Sequence, residues 1–164
     1  MNIKKYLLLN YCFIATAILV FAFSINFVEA ITAEVGVNLE KKAVAGEDFL
    51  ATIYLNVDEP VNAIEGNLVF PSDLLEVVGV SDGDSIVNLW LEKPKISDGR
   101  ISFSGIIPGG STSRGGQIFS IIFKVIDDFD TENLYIQNAK IFINDGSGEE
   151  ADIFFLPTEI GPVE

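Results

Sequence analysis

"DFLATIYLNV", Asp48 to Val57, is the stretch on which the fold turns. Phe49, Ala51, Ile53, Leu55 and Val57 fall on one parity, and Leu50, Thr52, Tyr54 and Asn56 fall on the other. Successive side chains of a strand point to opposite faces, so the first set is a buried row and the second an outward one. On either side the chain reads as short alternating segments divided by glycine, proline, aspartate and asparagine, with no convincing amphipathic helix. That pattern predicts an all-β sandwich. Strands are expected at 34–39, 48–57, 61–70, 74–80, 86–92, 99–107, 117–126, 133–143 and 150–156.

Three segments give facing or context. In "SIVNLWLE", Val87, Leu89 and Leu91 form the expected inward row, leaving Asn88, Trp90 and Glu92 outward. "IFSIIFKV", Ile118 to Val125, is apolar on both parities, as suits a central strand lying under loops or a neighbouring layer. In "LYIQNAKIFIND" the apolar parity changes between Ile136 and Ala139, and a bulge near Gln137–Asn138 reconciles the two halves, because one extra residue flips the facing of every later residue in the strand.

The chain of 164 residues opens on "MNIKKYLLLNYCFIATAILVFAFSINFVEA". Two lysines, an apolar run and the small-residue end Val28-Glu29-Ala30 have the form of an export signal over residues 1–30. The run is also long enough for an uncleaved membrane anchor, which is the alternative, and the only membrane role the sequence offers. Residues 31–157 are the expected domain, and "LPTEIGPVE" reads as the start of a tail or linker over 158–164. The length after residue 30 suits one core, enough to bury roughly two thirds of the unfolded surface. Beyond the signal there are 8 basic and 23 acidic groups. Such a surface repels nucleic acid and anionic lipid and favours solubility or a basic partner.

Composition narrows the chemistry. The sole cysteine, Cys12, lies inside the apolar run, so residues 31–164 have neither disulfide nor thiol chemistry. Histidine is absent, which removes the commonest general base, the usual partner of a nucleophilic serine and the commonest transition-metal ligand. "SDGDS" (81–85), "DDFD" (127–130) and "NDGSGEEAD" (144–152) are acidic, but none has the ligand order of an EF-hand loop, and no metal site or cofactor is expected. "PGGSTSRGG", 108–116, resembles a phosphate loop in glycine spacing only. Gly116 and Gln117 stand where lysine and a hydroxyl would be, and a strand comes next where a helix would be needed. The reading is of a non-enzyme, with this stretch a glycine-rich bend between strands.

The order of segments resembles the cohesin domain, the receptor module of bacterial cellulosomes and related cell-surface proteins. "VNAIEGNLVF" followed by "PSDLLEVVGV", then "GDSIVNLWL", "GGSTSRGG" and "GQIFSIIFKV", carry the resemblance. It implies a nine-stranded β-sandwich of jelly-roll topology, secreted or at the cell surface, that binds a dockerin or another extracellular protein through the sheet formed by the third, fifth, sixth and eighth strands. Carried onto this chain, that sheet presents Glu65, Asn67, Asn88, Trp90, Ser102, Ser104, Lys140 and Phe142 to the partner. One departure is that Phe70-Pro71-Ser72-Asp73 replaces the family's frequent Tyr-Asp-Pro turn. Carbohydrate binding, in polysaccharide attachment or breakdown, is the alternative, since sugar-binding modules share the architecture. It would draw on Trp90 and few other rings, because Tyr54 and Tyr135 are the only tyrosines after residue 30 and Tyr54 belongs to another expected sheet.

Overall fold

The computed structural model describes residues 31–161. The export signal expected over 1–30, with its helix and Cys12, and residues 162–164 lie outside the described residues. Those described are all-β: β1 (Thr32–Leu39), β2 (Asp48–Val69), β3 (Leu75–Ser81), β4 (Leu89–Ser97), β5 (Arg100–Val125), β6 (Glu132–Ile143), β7 (Asp152–Phe155) and β8 (Thr158–Ile160).

Eight elements stand where nine strands were expected: two of them each carry a pair of the expected strands, and β8 is an element that was not expected. β2 runs unbroken through the expected 48–57 and 61–70, and β5 through the expected 99–107 and 117–126. Both change partners at midlength. The first half of β2 pairs antiparallel with β1 and with β5 from Ser113 to Lys124, and its second half pairs with β5 from Arg100 to Ser111 and with β6. β3 adds to the second half of β5, β4 to its first half, and β7 lies parallel to β1. The hydrogen-bonded order is therefore β3-β5-β2-β1-β7 in one layer and β4-β5-β2-β6 in the other, with β2 and β5 common to both. Register shifts at Leu55/Val57, Val57/Val61 and Val61/Ala63 mark where the shared pair crosses from layer to layer.

The crossing is where "PGGSTSRGG" lies. Gly109, Gly110 and Gly115 have φ of 84°, 76° and 75°, the left-handed region that side chains disfavour, so the glycines let β5 bend from one layer to the other where 107–110 bulge out of the β2 register between Ile106 and Ser111. Asn144 ties the bend to its neighbours. Its backbone N–H donates to Pro60 O at 2.8 Å and its Nδ2 to Gly109 O at 3.0 Å.

The two layers pack face to face on one apolar cluster. Phe49, Ala51, Ile53, Leu55 and Val57 are all buried, as their alternation requires, and Ile64, Leu68, Ile101, Phe103 and Ile141 meet them from the second layer. Phe103 and Phe119 join the layers directly, ring centroids 5.1 Å apart in edge-to-face contact, and Phe70 reaches Phe123 at 5.2 Å. Among the described residues no polar or charged side chain is buried in this cluster.

Three expectations change. The segment 118–125 is buried on both parities only at Ile118 and Phe119. A bulge between the Ile53–Phe119 and Tyr54–Gln117 pairs inserts Ile118 as an extra residue, and Ile122, further along, stands outward and 41% exposed. The stretch from Thr158, expected as a tail, forms β8 instead: it pairs with the start of β6, buries Ile160, and bonds from Thr158 Oγ1 to Val37 O at 2.8 Å, so it links β6 of one layer to β1 of the other. The facing of 89–91 also differs, with Trp90 turned toward the core, while Val87 is buried and Asn88 exposed as expected. The bulge expected near Gln137–Asn138 is present: the β2–β6 register slips between Lys140 and Gln137, and Asn138 has a φ of 50°.

Phe119→Ala removes a fully buried ring that bridges the layers. The expected loss in chemical denaturation is about 3–5 kcal/mol of unfolding free energy with little change in the slope against denaturant.

Candidate functional site

The outward face of β4-β5-β2-β6 is an ordered grid, because antiparallel register sets side chains opposite one another. One row runs Phe142, Ala63, Ile106, Leu89 and is apolar throughout. The next runs Lys140, Glu65, Ser104, Glu92, and the third Gln137, Asn67, Ser102, Lys95. The last is Tyr135, Val69, Arg100, Ser97. The face thus has an apolar border, a mixed-charge middle, and an opposite border carrying a tyrosine and an arginine.

Six of the eight sequence-derived residues meet on this face: Glu65, Asn67, Ser102, Ser104, Lys140 and Phe142. Ser102 Oγ donates to Glu92 Oε1 at 3.2 Å, and Lys140 Nζ lies 3.7 Å from Glu150 Oε1, so the charges of the middle rows are tethered along the surface. Both pairs are exposed and contribute little stability. Asn88 is exposed just before β4, its backbone N–H donating to Ile106 O at 3.2 Å. The residue that fills the expected position in the grid is its neighbour Leu89, 52% exposed.

Trp90 corrects the reading of 89–91. It stands opposite Gly105, on the same side as the buried Phe103 and Ile107, and packs against the core from a half-buried position. Gly105 allows this: a Cβ there would lie 2.3 Å from Val87 Cγ1 and 3.3 Å from Trp90 Cε3. Leu89 and Leu91, expected inward, are 52% and 68% exposed. Two register shifts in β4, at Trp90/Glu92 and Glu92/Lys95, break the simple alternation on which the expected facing rested.

The loop that leads into β4 is anchored rather than free. Ser85 Oγ donates to Ile118 O and accepts from Val87 N–H at 3.0 Å. Lys93 Nζ sits 2.9 Å from Asp82 Oδ2. That hydrogen bond holds the Asp82 carboxyl below its ordinary value against an opposing desolvation, with smaller help from the ammonium charge, its own backbone and the Trp90 indole. The acidic stretch 144–152 is likewise a turn: Asp145 Oδ1 accepts from Ser147 N–H at 2.8 Å and from its hydroxyl at 2.6 Å, and these bonds lower the Asp145 carboxyl.

With the geometry defined, the chain can be set beside known proteins. No protein-family model and no curated protein matches the sequence. Solved structures do match. The sixth cohesin of Acetivibrio cellulolyticus scaffoldin B, solved in complex with a Cel5 dockerin variant, is similar at a TM-score of 0.63 and 10% identity, covering 79% of this chain and 98% of that one. The second type II cohesin of the adaptor scaffoldin of the same organism gives 0.61 at 15% identity, covering 84% and 93%. A non-cellulosomal cohesin from the archaeon Archaeoglobus fulgidus gives 0.57 at 22% identity, covering 81% and 91%. The described domain has a cohesin-like fold.

Because Trp90 supports the core, Trp90→Ala is expected to lower stability by about 2 kcal/mol, less than for a fully buried ring, and native Trp90 should emit as a partly shielded indole. Denaturation followed by circular dichroism, with the fluorescence maximum of the native chain, checks both.

Proposed function

We propose that the protein is a non-catalytic binding module, working outside the cell or at its surface, that holds another protein on the outward face of β4-β5-β2-β6. The observation that carries this reading is the grid itself. A contiguous apolar row, Phe142-Ala63-Ile106-Leu89, borders a charged row, Lys140-Glu65-Ser104-Glu92, and a mainly polar one, Gln137-Asn67-Ser102-Lys95, and the opposite border carries Tyr135 and Arg100. Protein interfaces have this build: a few apolar or aromatic anchors that lose their water, and polar neighbours that fix orientation. The fold supports the same reading, since a cohesin of similar structure was solved with a dockerin bound. A dockerin-like module is therefore the first partner to test. The export-signal pattern of residues 1–30 supports a location outside the membrane, as a released or a tethered domain.

The chain has no histidine to partner its serines, and among the described residues the shifted carboxylates Asp82 and Asp145 are engaged in an ion pair and a turn. A glycan platform would need rings laid flat on the face, and Trp90, the ring best suited to stacking, is turned to the core.

Ile106→Asp puts a charge in the middle of the apolar row without entering the core. In surface plasmon resonance against a panel of dockerins and native extracellular proteins, the partner retained by the unmodified protein should lose affinity by at least about tenfold. Asp127→Asn, in an exposed loop away from the face, should bind normally. Unchanged binding by the Ile106 variant sinks the assignment of the face.

A further inference from the structure

The outward face of the opposite layer holds a second feature, independent of the proposed binding face. A cleft of about 550 Å³ is lined by Glu34, Asn56, Asp58, Arg114 and Phe154, among others. Its lining includes a carboxylate, that of Glu34, whose position is fixed by two side-chain donors. Tyr54 Oη donates to Glu34 Oε1 at 2.7 Å, and Asn56 Nδ2 donates to Glu34 Oε2 at 3.1 Å. Asn56 is itself oriented, because its Oδ1 accepts from the Gly115 N–H. Tyr54 reaches Glu34 by lying across Gly36, its register partner on β1: a Cβ on Gly36 would fall 2.4 Å from the phenol oxygen.

This arrangement is more elaborate than a solvated glutamate needs. Each carboxylate oxygen accepts one internal bond, which leaves acceptor capacity on both. Phe154, the register partner of Glu34 on β7, is 57% exposed on the same cleft and presents an uncovered ring next to the charge. The cleft's own cation does not supply the missing partner, because Arg114 gives both Nε (3.1 Å) and Nη2 (3.0 Å) to Asp58 Oδ1. Burial, then the bond to Glu34 and its negative charge, push the Tyr54 phenol above its ordinary range, so it remains a donor at neutral pH.

From the cleft, the fixed carboxylate and the exposed ring, we infer that Glu34 and Phe154 form a binding site for an arginine side chain of a peptide. A guanidinium presents a planar fork that matches a carboxylate with both oxygens available, and its flat face stacks on an aromatic ring, so one group satisfies both features. A chain with 23 acidic against 8 basic groups after residue 30 attracts such a segment from a distance.

The probe is the pentapeptide Gly-Gly-Arg-Gly-Gly, titrated into the isotopically labelled full chain at low ionic strength and followed by amide chemical shifts. Saturable shifts are expected around Glu34, Asn56 and Phe154, and the same peptide with citrulline in place of arginine should bind about tenfold more weakly, having lost the charge but kept the shape. Glu34→Gln, which can still accept from Tyr54, should weaken the arginine peptide by a similar factor while leaving shifts far from the cleft in place, and Phe154→Ala should weaken it through loss of the ring. Equal binding of the arginine and citrulline peptides, undiminished binding by Glu34→Gln, or shifts confined to the β4-β5-β2-β6 face would overturn the site.

Discussion

Everything in this domain hangs on the antiparallel pairing of β2 with β5. It runs from Asp48–Lys124 to Val69–Arg100, and it supplies the central strands of both layers. Because the two strands cross together at midlength, each layer inherits its register from the same ladder, and a slip in one would turn apolar rows outward in the other. The crossing is the costly part, since a bend in a ladder risks unpaired backbone. Glycines with positive φ and the side chain of Asn144 meet that cost locally. The core then closes on aromatic contacts between layers, Phe103 with Phe119 and Phe70 with Phe123, rather than on polar links.

The same constraint creates the outward surfaces. Alternation forces every buried residue of the second half of β2 and the first half of β5 to be separated by an outward one, and register aligns those outward residues into rows. Ile106 faces Ala63 for the same reason that Ile101 faces Leu68. The face is therefore a by-product of core geometry in its positions and is distinctive only in its residues. A strand pair built for solubility alone would place charges at Phe142, Ile106 and Leu89. The edge strand β4 is protected from strand addition by different means: Lys93, Pro94, Lys95 and two bulges disturb the ladder that another chain would need.

Much of this was legible in the sequence. The row Phe49 to Val57 announced its facing, the parity change in 134–143 located a bulge, and the order of segments resembled a cohesin, a fold to which solved structures are similar. What could not be read was where a strand bends without ending. Pro60 and the glycines of 108–116 look like chain breaks, yet each strand runs on past them and resumes its pairing on the far side, so four expected strands became two elements. Trp90 was misread for a related reason: two bulges in β4 are tertiary events, set by the room at Gly105, and local alternation contains no sign of them. The sequence signal that could have warned of it is the pairing of a lone tryptophan with a glycine in the neighbouring strand, visible only once register is known. Leu89 was placed inward by the alternation of 87–91, which the bulges of β4 break, and Ile106 was left out of the expected face although it shares the parity of Ser102 and Ser104. Ile160, in a stretch rich in proline and glutamate, was missed because composition suggested a tail and one buried isoleucine leaves little pattern.

If the outward face of β4-β5-β2-β6 is the protein-binding surface, a bound partner must shield it row by row. Oxidative side-chain footprinting, with and without a saturating protein partner, reads that shielding at single residues. Leu89, Ile106, Tyr135 and Phe142 should lose reactivity together while Ile122 on the opposite layer keeps its own. Protection of Ile122 with Leu89, Ile106 and Phe142 unchanged would contradict this assignment.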